Sequence, residues 1–476
     1  MDAATVSTGA EALDEMIEGG FPQGSLVIVA GNPGSGKTAF AINFACKGIS
    51  SGDAVVFASL GEPREAFINE ISRHFHFDAE QFMRTDKMSF LDLSIVREGG
   101  APSMIQSILD RVERTGAKRL VIDSFSAMAL AFERKLDTRS ILQAILSKVV
   151  RQLGCTTILA VEIPFGDERV GTGVEEFVAD GVIKLGSEMI DDRLIRVLEL
   201  VKLRGTRLAE RKLIFTLEEG FKVFAPFQLK PIASPKPFKA IPDKPGRFSS
   251  GSEDLDRLLN GGYPVGSTIL FEIGRGVPVF HNALLQGQVV RNFMANGRAG
   301  IMLPSTGIDP KMMKMAATRI GFKEKDIDRL LRLCLLRFSE SSREPYVIPL
   351  EGENIDSDNK LIRNVEEELR KETGKPIVYV MGYDSVIANY GLKAAMKTAV
   401  LDAARAMEHG NLGIISLRLG YGKASVVLNE LAYVHFRLAE KYGALILYGI
   451  KPRTNLFVVE VDVSRGYDSP KLTPIL

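Results

Sequence analysis

The sequence contains no tryptophan, only five histidines and only three cysteines among 476 residues. Cys46, Cys155 and Cys334 stand far apart and no C-x-x-C spacing occurs, which gives neither a disulfide framework nor a zinc pattern and suits a reducing cytoplasm. His74 and His76 alternate with Phe75 and Phe77 and have no Cys or carboxylate partner at ligand spacing, so they mark no metal site. Net charge is missing as well. Sixty Lys and Arg against 59 Asp and Glu leave +1, which excludes a generally basic nucleic-acid coat and a polybasic membrane adaptor. No segment holds the ~18 consecutive apolar residues that cross a bilayer, and the first residues show no basic region followed by an apolar stretch. The expectation is a cytoplasmic protein with no membrane partner. What remains is the balance of a globular chain, 45% hydrophobic and 25% charged, long enough for several domains of roughly 100–200 residues each.

The clearest break in composition runs from Ala225 to Arg247 and holds six prolines together with Lys230, Lys236, Lys239 and Lys244. Proline at that density forbids regular helix or central strand, so this stretch reads as an extended connector. The two flanks look like copies of one unit. Residues 9–25 align without gaps on residues 251–267 at an offset of 242, with nine of 17 positions identical. That period is far too long for a solenoid and indicates duplication of a whole domain. The expected organisation is a first domain over 1–229, a Pro/Lys-rich linker over 230–246 and a second domain over 247–476.

Within the first copy, β-rich runs at Ser25–Ala30, Ala54–Leu60, Arg119–Ile122 and Thr156–Val161 alternate with helical patterns near Thr38–Gly48, Arg64–His74, Pro102–Thr115 and Ser140–Leu153. Alternation of this kind predicts a mainly parallel sheet covered on both faces. Runs at Val182–Leu185, Arg196–Lys202 and Lys212–Thr216 predict an antiparallel extension. Between the first strand and the first helix lie Gly31, Asn32, Pro33, Gly34, Ser35, Gly36, Lys37 and Thr38, a complete G-x-x-x-x-G-K-[ST] loop. Its glycines let successive backbone N–H groups converge on phosphate oxygens, Lys37 brings positive charge to the terminal phosphates, and Thr38 offers a hydroxyl to Mg²⁺. Asp123 closes a later apolar strand, where an acid can hold a water on that Mg²⁺. Glu62, just past the strand Ala54–Leu60, is placed to polarise an attacking water.

The sequence resembles the KaiC branch of the RecA-like ATPases. The resemblance is carried by Thr8–Asp14 with Gly19–Gly24, the phosphate loop, residues 173–180 (Gly-Val-Glu-Glu-Phe-Val-Ala-Asp) and residues 201–206 (Val-Lys-Leu-Arg-Gly-Thr). It implies two tandem RecA-like α/β P-loop domains, each a mainly parallel sheet flanked by helices. It also implies ATP and Mg²⁺ as ligands and a homo-oligomeric ring, a hexamer being the candidate size, with ATP at the subunit boundary. By the same resemblance, Lys202 and Arg204 would reach the γ-phosphate held by a neighbouring subunit. The chain departs from the family where two adjacent glutamates usually follow the second strand, because here Leu60-Gly61-Glu62-Pro63 has glycine in the leading place. Slow hydrolysis follows as an expectation.

Carried forward by the same offset, Val279 stands opposite Lys37 and Phe280 opposite Thr38, while Gly382 ends the strand that should carry the second acid. The second copy therefore reads as a pseudo-ATPase with a structural, regulatory or partner-binding role. The stretch Leu431–Phe436 also lacks the phosphorylatable Ser-Thr pair associated with clock members of the family, which argues against a circadian phosphoswitch. Two alternatives stay open: a recombinase-like DNA-dependent ATPase, for which the chain offers neither a long basic run nor Trp for base stacking, and a nucleotide-gated scaffold that binds without turnover.

Overall fold

The computed structural model describes residues 4–93, 100–130, 142–143, 145–167, 175–208, 210–305, 309–336 and 344–476. The chain divides into two compact units. One comprises Met1–Pro226 with Tyr442–Ala444 and Pro474–Leu476, the other Phe227–Lys441 with Leu445–Thr473.

In the first unit a short pair, β1 (Thr5–Val6) and β2 (Phe21–Pro22), precedes a nine-stranded sheet. The sheet strands are β3 (Leu26–Gly31), β4 (Val55–Ser59), β5 (Met88–Asp92), β6 (Arg119–Asp123), β7 (Thr156–Glu162), β8 (Gly181–Ile190), β9 (Arg193–Leu203), β10 (Lys212–Thr216) and β11 (Lys222–Phe224). Their order is β5-β4-β6-β7-β3-β8-β9-β10-β11. The run from β5 to β8 is parallel, and the remaining pairs are antiparallel. β3 shows why its sequence is uniformly apolar. Val27 and Val29 enter the core beneath the helix Lys37–Ser50, while Leu26, Ile28 and Ala30 enter a second core on the opposite face. A strand covered on both sides leaves no position for a polar side chain. The helix Arg64–His74 matches the sequence expectation, and Gly100–Thr115 exceeds it at its start. The expected helix over Ser140–Leu153 lies partly outside the described residues, and its described part includes a π-helical stretch, Ile145–Gln152.

The second unit repeats the plan. A pair, β12 (Arg247–Phe248) and β13 (Tyr263–Pro264), precedes a ten-stranded sheet of β14 (Thr268–Ile273), β15 (Gly300–Leu303), β16 (Leu331–Leu336), β17 (Val347–Leu350), β18 (Val378–Gly382), β19 (Leu412–Arg418), β20 (Val434–Lys441), β21 (Ala444–Lys451), β22 (Phe457–Asp462) and β23 (Ser469–Pro474). Its order, β17-β16-β15-β18-β19-β14-β20-β21-β22-β23, is that of the first sheet with one strand added beyond the edge. The two sheets flanked by helices are two tandem RecA-like domains.

The duplication extends to single hydrogen bonds. Asp14 accepts from Ser7 Oγ, Thr8 Oγ1 and the Thr8 N–H, and Asp256 accepts from Ser249 Oγ, Ser250 Oγ and the Ser250 N–H. The repeated glycine pair has a steric cause. A Cβ on Gly20 would stand 2.3 Å from Val6 O, and one on Gly262 would stand 2.2 Å from Phe248 O, both at positive φ. The Pro/Lys-rich stretch forms no helix, as its composition requires, and it packs on the second unit. The Phe238 ring stacks on Phe322 with centroids 6.1 Å apart and lies 4.9 Å from Tyr467, and the Phe238 N–H donates to Ile320 O at 2.7 Å.

Candidate functional site

The loop from Gly31 to Thr38 leaves the C-terminal end of β3 and turns into the helix Lys37–Ser50. Gly36, at φ 98°, is the N-cap of that helix and supplies no side-chain cap. The first-turn N–H groups thus face outward at the positive end of the helix dipole, the arrangement that receives a phosphate. Gly31 permits the tight start: a Cβ there would stand 2.4 Å from both Leu185 O and Ser35 Oγ. Ser35 Oγ is buried without a hydrogen-bond partner. Asn32 anchors the loop laterally by donating from Nδ2 to Ile163 O at 2.9 Å and Pro164 O at 3.3 Å.

Lys37 is only 7% exposed. Its ammonium donates to Gly31 O and Asn32 O, each at 3.0 Å, so the side chain folds back along its own loop. Burial pulls this ammonium below its ordinary pKa, against the opposing charges of Glu162 and Asp123. Thr38 Oγ1 donates to Asp123 Oδ2 at 2.7 Å, which joins the helix start to the end of β6 across the intervening β7. Burial pushes the Asp123 carboxyl upward. The Thr38 bond and the Lys37 charge oppose that push, while Glu62 and Glu162 add to it. A hydroxyl beside a carboxylate is a hard-oxygen donor pair, the chemistry that suits Mg²⁺. Among the described residues no group of three or more His, Cys, Asp or Glu side chains could hold an ion alone, so a cation here would draw further ligands from phosphate oxygens and water.

Glu62 sits in the turn after β4. Its N–H donates to Ser59 Oγ at 3.0 Å while that hydroxyl donates to Glu62 O at 2.9 Å, and Ser59 is in register with Asp123. The structure thus brings together the loop, Thr38, Asp123 and Glu62 at one edge of the sheet. It places Lys202 and Arg204 elsewhere. Lys202 pairs with Val182, which pairs with Ile28, three residues before Gly31 and therefore ~10 Å toward the other end of β3. Lys202 Nζ donates to Ala179 O at 2.7 Å, and Arg204 Nη1 lies 3.3 Å from Asp180 Oδ1. Of the 173–180 motif, Gly173 and Val174 lie outside the described residues. Asp180 Oδ2 accepts from the Leu26 N–H at 3.1 Å and so ties the start of β3 to the end of β9.

Sequence reasoning missed three neighbours of the site. Glu162 ends β7 and acts on both Lys37 and Asp123 through its charge. Its signal, an acid closing an apolar strand, is the one that identified Asp123. Arg196, on β9, donates from Nη1 to Gly34 O at 3.3 Å and carried no local signal at all. Glu70 lies half-buried on the helix Arg64–His74, and burial first, then the nearby charges of Glu62 and Asp123, push its carboxyl up to about 7. In the second unit Val279 starts the helix equivalent to Lys37–Ser50, Pro278 is its N-cap at φ −62°, and Gly382 ends β18 where Asp123 ends β6. Asp384 lies in the following helix, 3.7 Å from Arg418 Nε, and burial pushes its carboxyl upward.

Residues 6–226 match the family model described as "ATPase: KaiC". The circadian clock protein KaiC3 of Synechocystis is 31% identical over 351 residues, covering 71% of this chain and 66% of that protein, just under two thirds of its length. The UPF0273 protein PAE3143 of Pyrobaculum aerophilum is 31% identical over 221 residues, 44% of this chain and 77% of that protein. Among solved structures, the KaiC-like protein PH0186 of Pyrococcus horikoshii shares 34% identity over 47% of this chain and 99% of its own, with a TM-score of 0.43. No helix among the described residues is long and apolar enough to cross a membrane. On the family match over residues 6–226 and the identity with KaiC3 and the Pyrobaculum aerophilum protein, the chain belongs to the KaiC-like branch of the RecA-like P-loop ATPases.

Proposed function

We propose that the first unit binds ATP with Mg²⁺ and hydrolyses it slowly at the boundary between subunits of a homo-oligomer, while the second unit is a pseudo-ATPase with a regulatory or partner-binding role. The observation that carries this reading is the Thr38–Asp123 hydrogen bond at the mouth of an uncapped helix beside a buried Lys37, set against Val279, Phe280 and Gly382 in the second copy.

Each residue then has a defined task. Lys37 exchanges its two carbonyl acceptors for phosphate oxygens, whose negative charge offsets the desolvation that weakens the proton's hold. The N–H groups from Gly34 to Thr38 cradle the phosphate chain. Mg²⁺ held near Thr38 and Asp123 would supply charge neutralisation for the γ-phosphate. Glu62 orients the attacking water and accepts its proton. Lys202 and Arg204 lie at the far end of their own sheet, which suits service to a neighbour's phosphates, where cations supplied in trans stabilise charge developing in phosphoryl transfer.

Subunit mixing tests the whole reading. A Lys37→Met subunit binds ATP too weakly to turn it over at substrate levels that serve the wild type, and a Lys202→Ala/Arg204→Ala subunit cannot assist its neighbour, so each homo-oligomer is inactive. Mixed oligomers recover phosphate release, because an intact loop faces an intact cation pair at some boundaries. Absence of recovery in verified mixed oligomers refutes catalysis across subunits. A second reading, a nucleotide-gated scaffold, is favoured by Gly61, and it requires ATP binding with no phosphate release from the wild type.

A further inference from the structure

A cavity of about 50 Å³ lies inside the second unit, between two helices and the sheet. The helix Ile355–Thr373 faces it with Arg363 and Glu366, and the helix Leu392–His409 faces it with Asp402 and three alanines, Ala399, Ala403 and Ala406. On the second helix these positions are spaced i, i+3, i+4 and i+7, which is one face. β18 and β19 form the floor, where Gly413 is in register with Tyr379 and contributes no side chain. The space thus has a cause in the sequence. Protein interiors pack closely, and a gap beside alanines gives up contacts that one longer side chain would make. The volume holds about four waters, close to the bulk of a small amino acid such as alanine.

The polar groups of the lining do not all satisfy one another. Arg405 Nη2 donates to Glu366 Oε2 at 2.6 Å and Asn411 Nδ2 donates to Glu366 Oε1 at 3.2 Å, so Glu366 and Arg405 are spent within the wall. One cation and one acid of the lining remain. Arg363 stands on one helix and Asp402 on the other, both half-buried and therefore within reach of solvent. On the floor, Tyr379 Oη is buried without a hydrogen-bond partner. A buried hydroxyl in that state is uncommon and costly, and one that borders a cavity is placed to bond whatever enters.

We propose that this cavity is a binding site for a small apolar α-amino acid. It lies in the second unit alone and does not depend on the ATPase reading of the first. The ligand carboxylate meets the Arg363 guanidinium, the ligand ammonium meets the Asp402 carboxylate, and the Tyr379 hydroxyl donates to the ligand carboxylate and so gains the partner it lacks. The ligand side chain lies against the alanines. A lining whose four charges, Arg363, Arg405, Glu366 and Asp402, sum to zero selects a zwitterion. A lone anion would leave Asp402 unpaired and a lone cation would leave Arg363 unpaired, each in a partly desolvated place. The second unit thereby has a ligand class of its own in place of nucleotide.

Calorimetric titration of the full chain with glycine, L-alanine, L-valine and L-leucine tests the assignment, with propionate and ethylamine as probes that each keep one of alanine's charges. L-Alanine or L-valine binds with a Kd below about 10 mM, and propionate and ethylamine bind at least about tenfold more weakly, each having lost one charged hydrogen bond. Arg363→Gln and Asp402→Asn each weaken amino-acid binding roughly 10- to 100-fold. Ala403→Leu fills the cavity and abolishes binding. Tyr379→Phe keeps the ring and removes only an unpartnered hydroxyl, so its thermal midpoint stays at or above that of the wild type while its affinity falls. Three results overturn the proposal: no saturation by any of the four amino acids, propionate binding as tightly as L-alanine, or undiminished binding by folded Ala403→Leu or Tyr379→Phe.

Discussion

Replacing Lys37 by Met keeps the length of the side chain and removes its charge. The ammonium is buried and bonded to Gly31 O and Asn32 O at 3.0 Å, so most of the desolvation that phosphate binding would demand occurs on folding. A hydrogen bond to a charged group contributes roughly 1.5–3 kcal/mol, and bridging two phosphates makes two of them. Against that stand the two carbonyl bonds surrendered, which share the charged donor but have neutral acceptors and take the low end of that range, about 1.5 kcal/mol each, while the phosphate bonds take the high end, about 3 kcal/mol each. The net loss for Lys37→Met is about 3 kcal/mol, or roughly 150-fold in Kd for ATP. Calorimetric titration with ATP, ADP and AMP measures it. Because Lys37 reaches the terminal phosphates and not the α-phosphate, the penalty is largest for ATP and nearly absent for AMP. An unchanged ATP affinity in the folded variant refutes the assignment of this loop. An equal loss for ATP and AMP shows instead that the substitution damaged the loop as a whole.

Gly61→Glu places a second carboxylate beside Glu62 in space that no neighbouring atom occupies, at a glycine whose φ is not positive. It raises kcat about tenfold with little change in ATP affinity, as phosphate-release assays measure, and an unaltered kcat shows that the glycine does not limit turnover. Arg119→Met tests the first unit's stability. The Arg119 side chain is 3% exposed and donates to Asp53 Oδ2 at 2.9 Å, Ser7 O at 2.7 Å and Phe44 O at 3.0 Å, with its guanidinium 4.6 Å above the Phe44 ring. Orphaning those acceptors costs about 3 kcal/mol, and a urea midpoint within error of the wild type contradicts that account.

The parts of the first unit that local pattern determines were legible in the sequence. Residues 64–74 have one apolar stripe and end where Phe75 leaves the helix, so the helix was readable to the residue. The phosphate loop was readable because its chemistry depends on glycines and a lysine at fixed spacing along one segment. Arg196, Glu162 and Glu70 were not readable in that way. Arg196 meets Gly34 only because β9, β8 and β3 are ordered across the sheet as they are, and strand order is not written in the periodicity of any one strand. Glu70 looks like any polar residue on an amphipathic helix, and its meaning comes from docking by Phe67 against Phe57 and Phe90. The proline-rich stretch gave its lack of helix but not its destination, since the contacts of Phe238 with Phe322 and Tyr467 span up to 229 residues of sequence.

The second unit separates what the fold needs from what the chemistry needs. Its Asp256 network and Gly262 repeat those of Asp14 and Gly20 because a lost hydrogen bond or an added Cβ would break the same turn in either copy. The phosphate-binding positions bear no such load, and Val279, Phe280 and Gly382 stand there without altering strand order. Near the same sheet edge the second unit has acquired a buried cluster of its own. Glu272 occupies the place of Ala30, and Arg437 that of Lys184. Arg437 bonds Glu272 at 2.6 and 3.0 Å, His435 Nε2 lies 3.1 Å away and Ser425 Oγ donates to the same carboxylate. Burial alone would raise Glu272, yet these hydrogen bonds hold it down at about 2. A buried ionic cluster is weak evidence for stability but a strong constraint on geometry, because each partner is costly to leave unpaired. His435, which in the sequence only marked the absence of a phosphorylatable pair, is thereby part of what fixes β14 against β20, so the second unit is a differently specified RecA-like domain rather than a decayed one.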